Sequence, residues 1–165
     1  MANFIAPAGG RIGHVHLKVS ELERSIRFYS EVLGFSVTQR IGGSAAFLSA
    51  DGYHHHIGLN TWESKGAKPP PEYASGLYHV AFLYTTRRDL AVAVGHLYEM
   101  GVPLEGAADH GVSEAVYLRD PDDNGVELYW DKPKDAWPVS SEGALEMYTR
   151  PLELQSLLAT VRGVS

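Results

Sequence analysis

The sequence predicts an α+β fold made of two tandem copies of one unit, each a strand, a helix and three further strands. Three observations carry this. An alternating stretch, RIGHVHLKV at residues 11–19, precedes a helical pattern that stops at Gly34. The same succession returns later, with LYHVAF at residues 77–82 echoing IGHVHL at residues 12–17. Matching positions keep a slowly growing distance: His79 follows His14 by 65 residues, Gly101 follows Gly34 by 67, and Tyr117 follows Phe47 by 70. A duplication with small loop insertions produces such a drift, and an internal repeat decides the architecture.

The first copy runs from residue 11 to 61. Before it, Met1 to Gly10 reads as an irregular arm. In the strand at 11–19, His14, His16 and Lys18 share one face and Val15, Leu17 and Val19 the other, because side chains alternate along a strand. Ser20 with Glu23 has the spacing of a capping box, with Ser20 as N-cap. Leu22, Ile26, Tyr29 and Leu33 then form a helical stripe, and Gly34 ends it. Phe35 to Gln39, Ala45 to Ser49 and His54 to Asn60 are the expected strands, separated by Gly42-Gly43 and Asp51-Gly52. Residues 62–76, with Lys65, Lys68 and Pro69 to Pro71, form a linker.

The second copy covers residues 77–131. Thr86 with Asp89 caps a helix whose stripe is Leu90, Val94 and Leu97. Ala115 to Leu118 and Val126 to Trp130 are strands around DPDDNG, a run dense in turn residues. Glu127 and Tyr129 share one face of the last strand. The two copies form one domain over residues 1–138, and residues 139–165 form a tail. In that tail, Pro151 at a first helical position, with Leu154, Leu157, Leu158 and Val161 after it, predicts a short helix covering exposed core.

Composition narrows the function. The net charge of −6 and the lack of a Lys/Arg run argue against nucleic acid as a partner. With no cysteine there is no disulfide, thiolate metal site or Cys nucleophile. No apolar run approaches a membrane span, and the first residues lack a signal-peptide pattern, so the expected location is the cytoplasm. Eight histidines stand out against this background.

His14 and His79 occupy matching places in the two copies, so a pairing of the copies about a pseudo-twofold axis brings both imidazoles together. Glu127, a carboxylate in an apolar strand, has to reach water or a cation. Two imidazoles and one carboxylate on one face of an ion are the donor set of non-haem Fe(II), and Mn or Zn fit the same ligands. His56, in the run His54-His55-His56, is read as the first copy's counterpart of Glu127, sharing its side of the strand with His54. It is then either an acid–base group beside the metal or a fourth ligand. His110, before the Tyr117 strand, and Tyr117 itself are further candidates, since a pocket tyrosine can donate a proton.

The motifs GHVHLKV, FYSEVLGF, LYHVAF and DPDDNGVELYW resemble those of the vicinal oxygen chelate superfamily over residues 12–130. That superfamily comprises glyoxalases, bleomycin resistance proteins and extradiol dioxygenases. The resemblance implies two βαβββ modules forming a cup-shaped mixed β-sheet with flanking helices. Within the superfamily the chain is similar to extradiol (catechol 2,3-type) dioxygenases, many of which carry four modules rather than two. This implies His14, His79 and Glu127 as metal ligands, and His56, His110 and Tyr117 as the acid–base and proton-donating residues. It also implies Fe(II) as cofactor, a small aromatic diol and O2 as substrates, and a homodimer as the expected assembly.

Three rivals share the fold. A glyoxalase-like isomerase or epimerase uses a Glu in the first copy's last strand, where His56 is read. A thiol transferase needs an anion-binding cluster, which the site strands lack. A metal-free drug-binding protein has no use for the three ligands.

Overall fold

The structure, a computed structural model, describes residues 4–162, so Met1 to Asn3 of the expected arm lie outside the described residues. The chain divides into two compact units, Met1–Ala67 and Lys68–Ser165.

The first unit contains β1 (Val15–Lys18), α1 (Leu22–Arg27), β2 (Ser36–Ile41), β3 (Ala45–Ser49) and β4 (Ile57–Asn60). Its sheet has the order β1-β4-β3-β2. The first strand pairs in parallel with the last, and the other neighbours are antiparallel. The second unit contains β5 (His79–Tyr84), α2 (Arg87–Glu99), β6 (Gly106–Asp109), β7 (Ser113–Arg119) and β8 (Gly125–Asp131). It adds β9 (Arg150–Pro151) and α3 (Leu154–Arg162) from the tail. Its sheet order, β5-β8-β7-β6-β9, repeats the first with one strand added at the edge. The α+β class and the two βαβββ modules are thus both present.

The helices bury the stripes their periodicity predicts. Leu22, Ile26 and Tyr29 are buried in the first unit, and Leu90, Val94 and Leu97 in the second. Each such side chain contributes roughly 1.5–3 kcal/mol on leaving water. At α2 the capping box of Thr86 and Asp89 forms as expected. At α1 the cap moves by one residue. Glu21 is the N-cap, its carboxylate accepting from the N–H groups of Glu23 and Arg24, while Ser20 Oγ accepts from the Arg24 guanidinium. The longer acidic side chain satisfies two free N–H groups at the positive end of the helix, which a serine cannot do. Gly34 follows a π-helical turn, Phe28–Val32, and takes φ +80°, a conformation that favours glycine.

Three expectations are corrected. The first strand begins at Val15 rather than Arg11. The strand expected from His54 begins at Ile57, so the three histidines lie on the turn before β4. There the His54 carbonyl accepts from Thr38 Oγ1 and the His54 and Tyr53 rings stack, which diverts the chain from the ladder. Pro151 does not start a helix. It sits on the edge strand β9, where a residue without an N–H is tolerated, and α3 starts at Leu154. Leu157 of α3 is fully buried, so the helix does cover core. No helix among the described residues is long and apolar enough to cross a membrane.

Register also corrects the expected equivalence of His56 and Glu127. In the second unit His79 pairs with Gly125, and Ala81, two residues on, pairs with Glu127. In the first unit His16, two residues beyond His14, pairs with Gly58. The counterpart of Glu127 is therefore Gly58 and not His56. A Cβ at Gly58 would lie 2.9 Å from the His16 ring, so that imidazole fills the place a side chain would take.

Candidate metal site in the second unit

The second unit brings four of the six expected residues together. Glu127 on β8 pairs with Tyr117 on β7 and with Ala81 on β5. Tyr117 and Glu127, ten apart in sequence, face each other across a hairpin whose turn is tied by Asp120. That carboxylate accepts from the backbone N–H groups of Asp122 and Asn124 and from the Asn124 amide. The turn chemistry thus sets the two residues directly opposite each other.

His79 Nε2 donates to Glu127 Oε2 at 2.9 Å. The Tyr117 hydroxyl oxygen lies 3.1 Å from Glu127 Oε1 and 2.7 Å from His110 Nε2, either of which can accept its single proton. Glu127 is buried and His79, Tyr117 and His110 are half-buried, which strengthens these contacts relative to a fully solvated site. Burial, and after it the Glu127 charge, pushes the Tyr117 phenol well above its ordinary value. The hydroxyl is therefore a proton donor throughout the neutral range.

His110 is set by the turn that follows β6. Its N–H donates to the Ser113 carbonyl, and Gly111 takes φ +80°. Asp109 Oδ1 accepts from Gly111 N–H at 2.8 Å and from Lys132 Nζ at 2.6 Å. Burial raises the Asp109 carboxyl, but Lys132 and the Gly111 N–H outweigh it and hold the group charged. His79, His110 and Tyr117 line a cavity of about 360 Å³ in the second unit, which extends to Glu105 and Arg119.

The donors fit a metal. Two ligand atoms about 2.1 Å from one ion and at right angles to each other stand about 3 Å apart, close to the separation of His79 Nε2 and Glu127 Oε2. His79 Nδ1 is buried with no partner among the described residues, so no bond has to break for that nitrogen to take the proton when Nε2 turns to an ion. Among the described residues no group of three His, Asp or Glu side chains is gathered to hold an ion.

The remaining two expected residues belong to the first unit. His14 is exposed, with its ring centroid 4.5 Å from that of His55. His56 Nδ1 lies 3.3 Å from Ser49 Oγ and 3.4 Å from the Ala50 N–H, with Asp51 3.8 Å from its other nitrogen.

Two features were not anticipated. The first is Gly125, where a Cβ would lie 2.1 Å from the Tyr78 carbonyl oxygen and 3.0 Å from His79 Cβ. Only glycine lets β5 approach β8 at His79. Gly125→Ala is expected to cost about 1–3 kcal/mol or more through this overlap. A thermal melt should show the midpoint falling by several degrees, and metal content should fall with it. An unchanged midpoint would show that the strands have room to spare. The second is the tail. His110 Nδ1 lies 3.2 Å from both the Tyr148 carbonyl oxygen and Thr149 Oγ1. The signal available in the sequence was Tyr148-Thr149-Arg150-Pro151, aromatic and β-branched with a proline, as edge strands often are.

Comparison with known proteins identifies the family. The Glyoxalase/Bleomycin resistance protein/Dioxygenase superfamily matches residues 11–128. A catechol-2,3-dioxygenase of Bacillus subtilis is 40% identical over 148 residues, 89% of this chain and 50% of the relative. A biphenyl-2,3-diol 1,2-dioxygenase of Rhodococcus globerulus is 32% identical over 121 residues, 73% of this chain and 63% of the relative. The chain thus spans about half to two thirds of the length of these relatives. Among solved structures, a glyoxalase/dioxygenase from Nostoc punctiforme superposes with a TM-score of 0.64 at 19% identity, covering 81% of this chain and 100% of that one. The repeated βαβββ units and the family match over most of the chain together show that this protein belongs to the glyoxalase/bleomycin resistance protein/dioxygenase superfamily.

Proposed function

We propose that the chain carries out extradiol ring cleavage of a catechol-type aromatic diol with O2, using Fe(II). The observation that carries this reading is the hydrogen-bonded series His110–Tyr117–Glu127–His79, of which His110, Tyr117 and His79 line one cavity. Its members would serve side by side as a base, a proton donor and two metal-binding groups. His79 and Glu127 would hold the ion, with His14 the third ligand that the family resemblance implies; Mn or Zn would fit the same donors. When bound, Fe(II) would supply the acidity that lowers the pKa of a diol hydroxyl and a path for electrons from the diol to O2.

The protein's own residues do the rest. The cavity of about 360 Å³ is large enough for one substituted ring. Tyr117, protonated at neutral pH, donates to a substrate oxygen, and His110 Nε2 takes up or returns the proton that the diol releases. Both oxygen atoms of O2 end in the ring-opened product. His56 is assigned to its own turn, because its ring is engaged with Ser49 and Ala50. His56→Phe is therefore expected to keep metal content and oxygen uptake within about threefold. A loss of ~10²- to 10⁴-fold in uptake, the size of an acid–base contribution, would return His56 to the chemistry.

One observation favours this reading over an isomerase or epimerase. Such enzymes use a carboxylate in the first module at the counterpart of Glu127, and here that position is Gly58, covered by the His16 ring. The test is metal analysis of anaerobically purified protein, followed by oxygen uptake with a panel of catechols. About one iron per chain with uptake on a catechol is the expected result. Metal-loaded protein that consumes no oxygen with any diol would overturn the reading.

A further inference from the structure

The residues after β8 were expected to act only as a tail and a cover for core. Their contacts show more. His110 Nδ1 faces two oxygens at 3.2 Å, the Tyr148 carbonyl and Thr149 Oγ1. A carbonyl oxygen can only accept, so a bare Nδ1 would set two lone pairs against each other. We propose that Tyr148 and Thr149 hold His110 as the Nδ1-protonated tautomer, leaving Nε2 as the acceptor that faces Tyr117.

Three structural features fix Tyr148 for this purpose. Its N–H donates to the His110 carbonyl at 3.3 Å, so the two residues are linked in both directions. Its ring packs over Gly111, where a Cβ would come within 2.8 Å of it. The Arg150 guanidinium lies 4.1 Å from the centroid of the same ring. Immediately beyond, Arg150 pairs with Asp109 and Pro151 with Ala108, so the tail joins the sheet beside the turn that carries His110. The family match ends at residue 128, before every one of these tail residues.

The assignment has a consequence for Tyr117. Its single proton has two acceptors, His110 Nε2 at 2.7 Å and Glu127 Oε1 at 3.1 Å. The shorter contact goes to the imidazole, and a metal drawing on the Glu127 carboxylate tilts the balance further the same way. The tail residues touch neither substrate nor metal. They are positioning residues, acting through His110.

The role in ring cleavage rests on the function proposed above, but the tautomer does not. The test is a long-range ¹H–¹⁵N correlation spectrum of the full chain, metal-free, at a pH where the ring is neutral. His110 is assigned by the signal missing from His110→Gln. The expected result is a protonated Nδ1 and a bare Nε2. A protonated Nε2 would overturn the proposal. Thr149→Val should shift the Nδ1 resonance and lower kcat about 3- to 10-fold with KM unchanged, the size of one hydrogen bond. Thr149→Ser should restore both. No shift in the Val variant, or no recovery in the Ser variant, counts against the tail. A chain with the Nδ1 tautomer and no ring cleavage keeps this inference and removes the function. Ring cleavage with the Nε2 tautomer does the reverse.

Discussion

Glu127→Ala is expected to abolish stoichiometric metal binding while the metal-free protein stays folded. The carboxylate contacts both His79 and Tyr117. Partners beyond the ligands themselves are worth 10- to 100-fold in affinity, so removing a ligand should exceed about 10²-fold. The fold should survive for a separate reason. Glu127 is a buried carboxylate whose desolvation offsets much of its attraction to His79, and its backbone bonds to β5 and β7 do not depend on the side chain. Metal content after anaerobic reconstitution and a thermal melt of the metal-free variant measure the two parts. One ion per chain in the variant would refute the ligand assignment. A His14→Ala variant measured alongside tests the third ligand in the same way.

Tyr117→Phe is expected to lower kcat for ring cleavage by roughly 10²-fold, the lower end for a positioned proton donor. Metal content should change far less, because the ring still fills its place and only the hydroxyl contacts to His110 and Glu127 are lost. The same substitution has a signature in stability. The folded state raises the Tyr117 pKa, so it holds the phenol proton more tightly than the unfolded chain does. That contribution is complete below the unfolded value of about 10 and is lost as pH rises beyond it. Melts across the alkaline range should therefore show a steeper decline for the parent than for Tyr117→Phe. Parallel declines, with kcat unchanged, would leave Tyr117 as a packing residue.

The candidate site was legible where local rules decide side-chain direction. Strand alternation placed Glu127 and Tyr129 on one face, and the turn residues from Asp120 to Asn124 set Tyr117 against Glu127. His79 came from the repeat itself, since matching positions of a duplicated unit carry matching directions. The His54-His55-His56 run was misread because β-propensity does not say where a ladder begins. The bond from Thr38 to the His54 carbonyl holds that residue off β4, whereas His56 makes main-chain bonds to Val15 and Leu48 just ahead of it. Register against β1 then puts the counterpart of Glu127 at Gly58, two residues beyond His56.

By itself the sequence determined the two βαβββ units, the helix faces and the glycine stops. These follow from periodicity, capping and turn chemistry, which act over a few residues. Tertiary structure decided the register, the cap at Glu21, the need for glycine at Gly125 and the grip of the tail on His110. Apart from the cap, these depend on which backbone comes to lie beside which, and Tyr148 lies 38 residues from His110 in the chain. A carbonyl oxygen carries no residue identity, so a bond from a histidine ring to a distant main chain leaves no mark in the sequence that makes it.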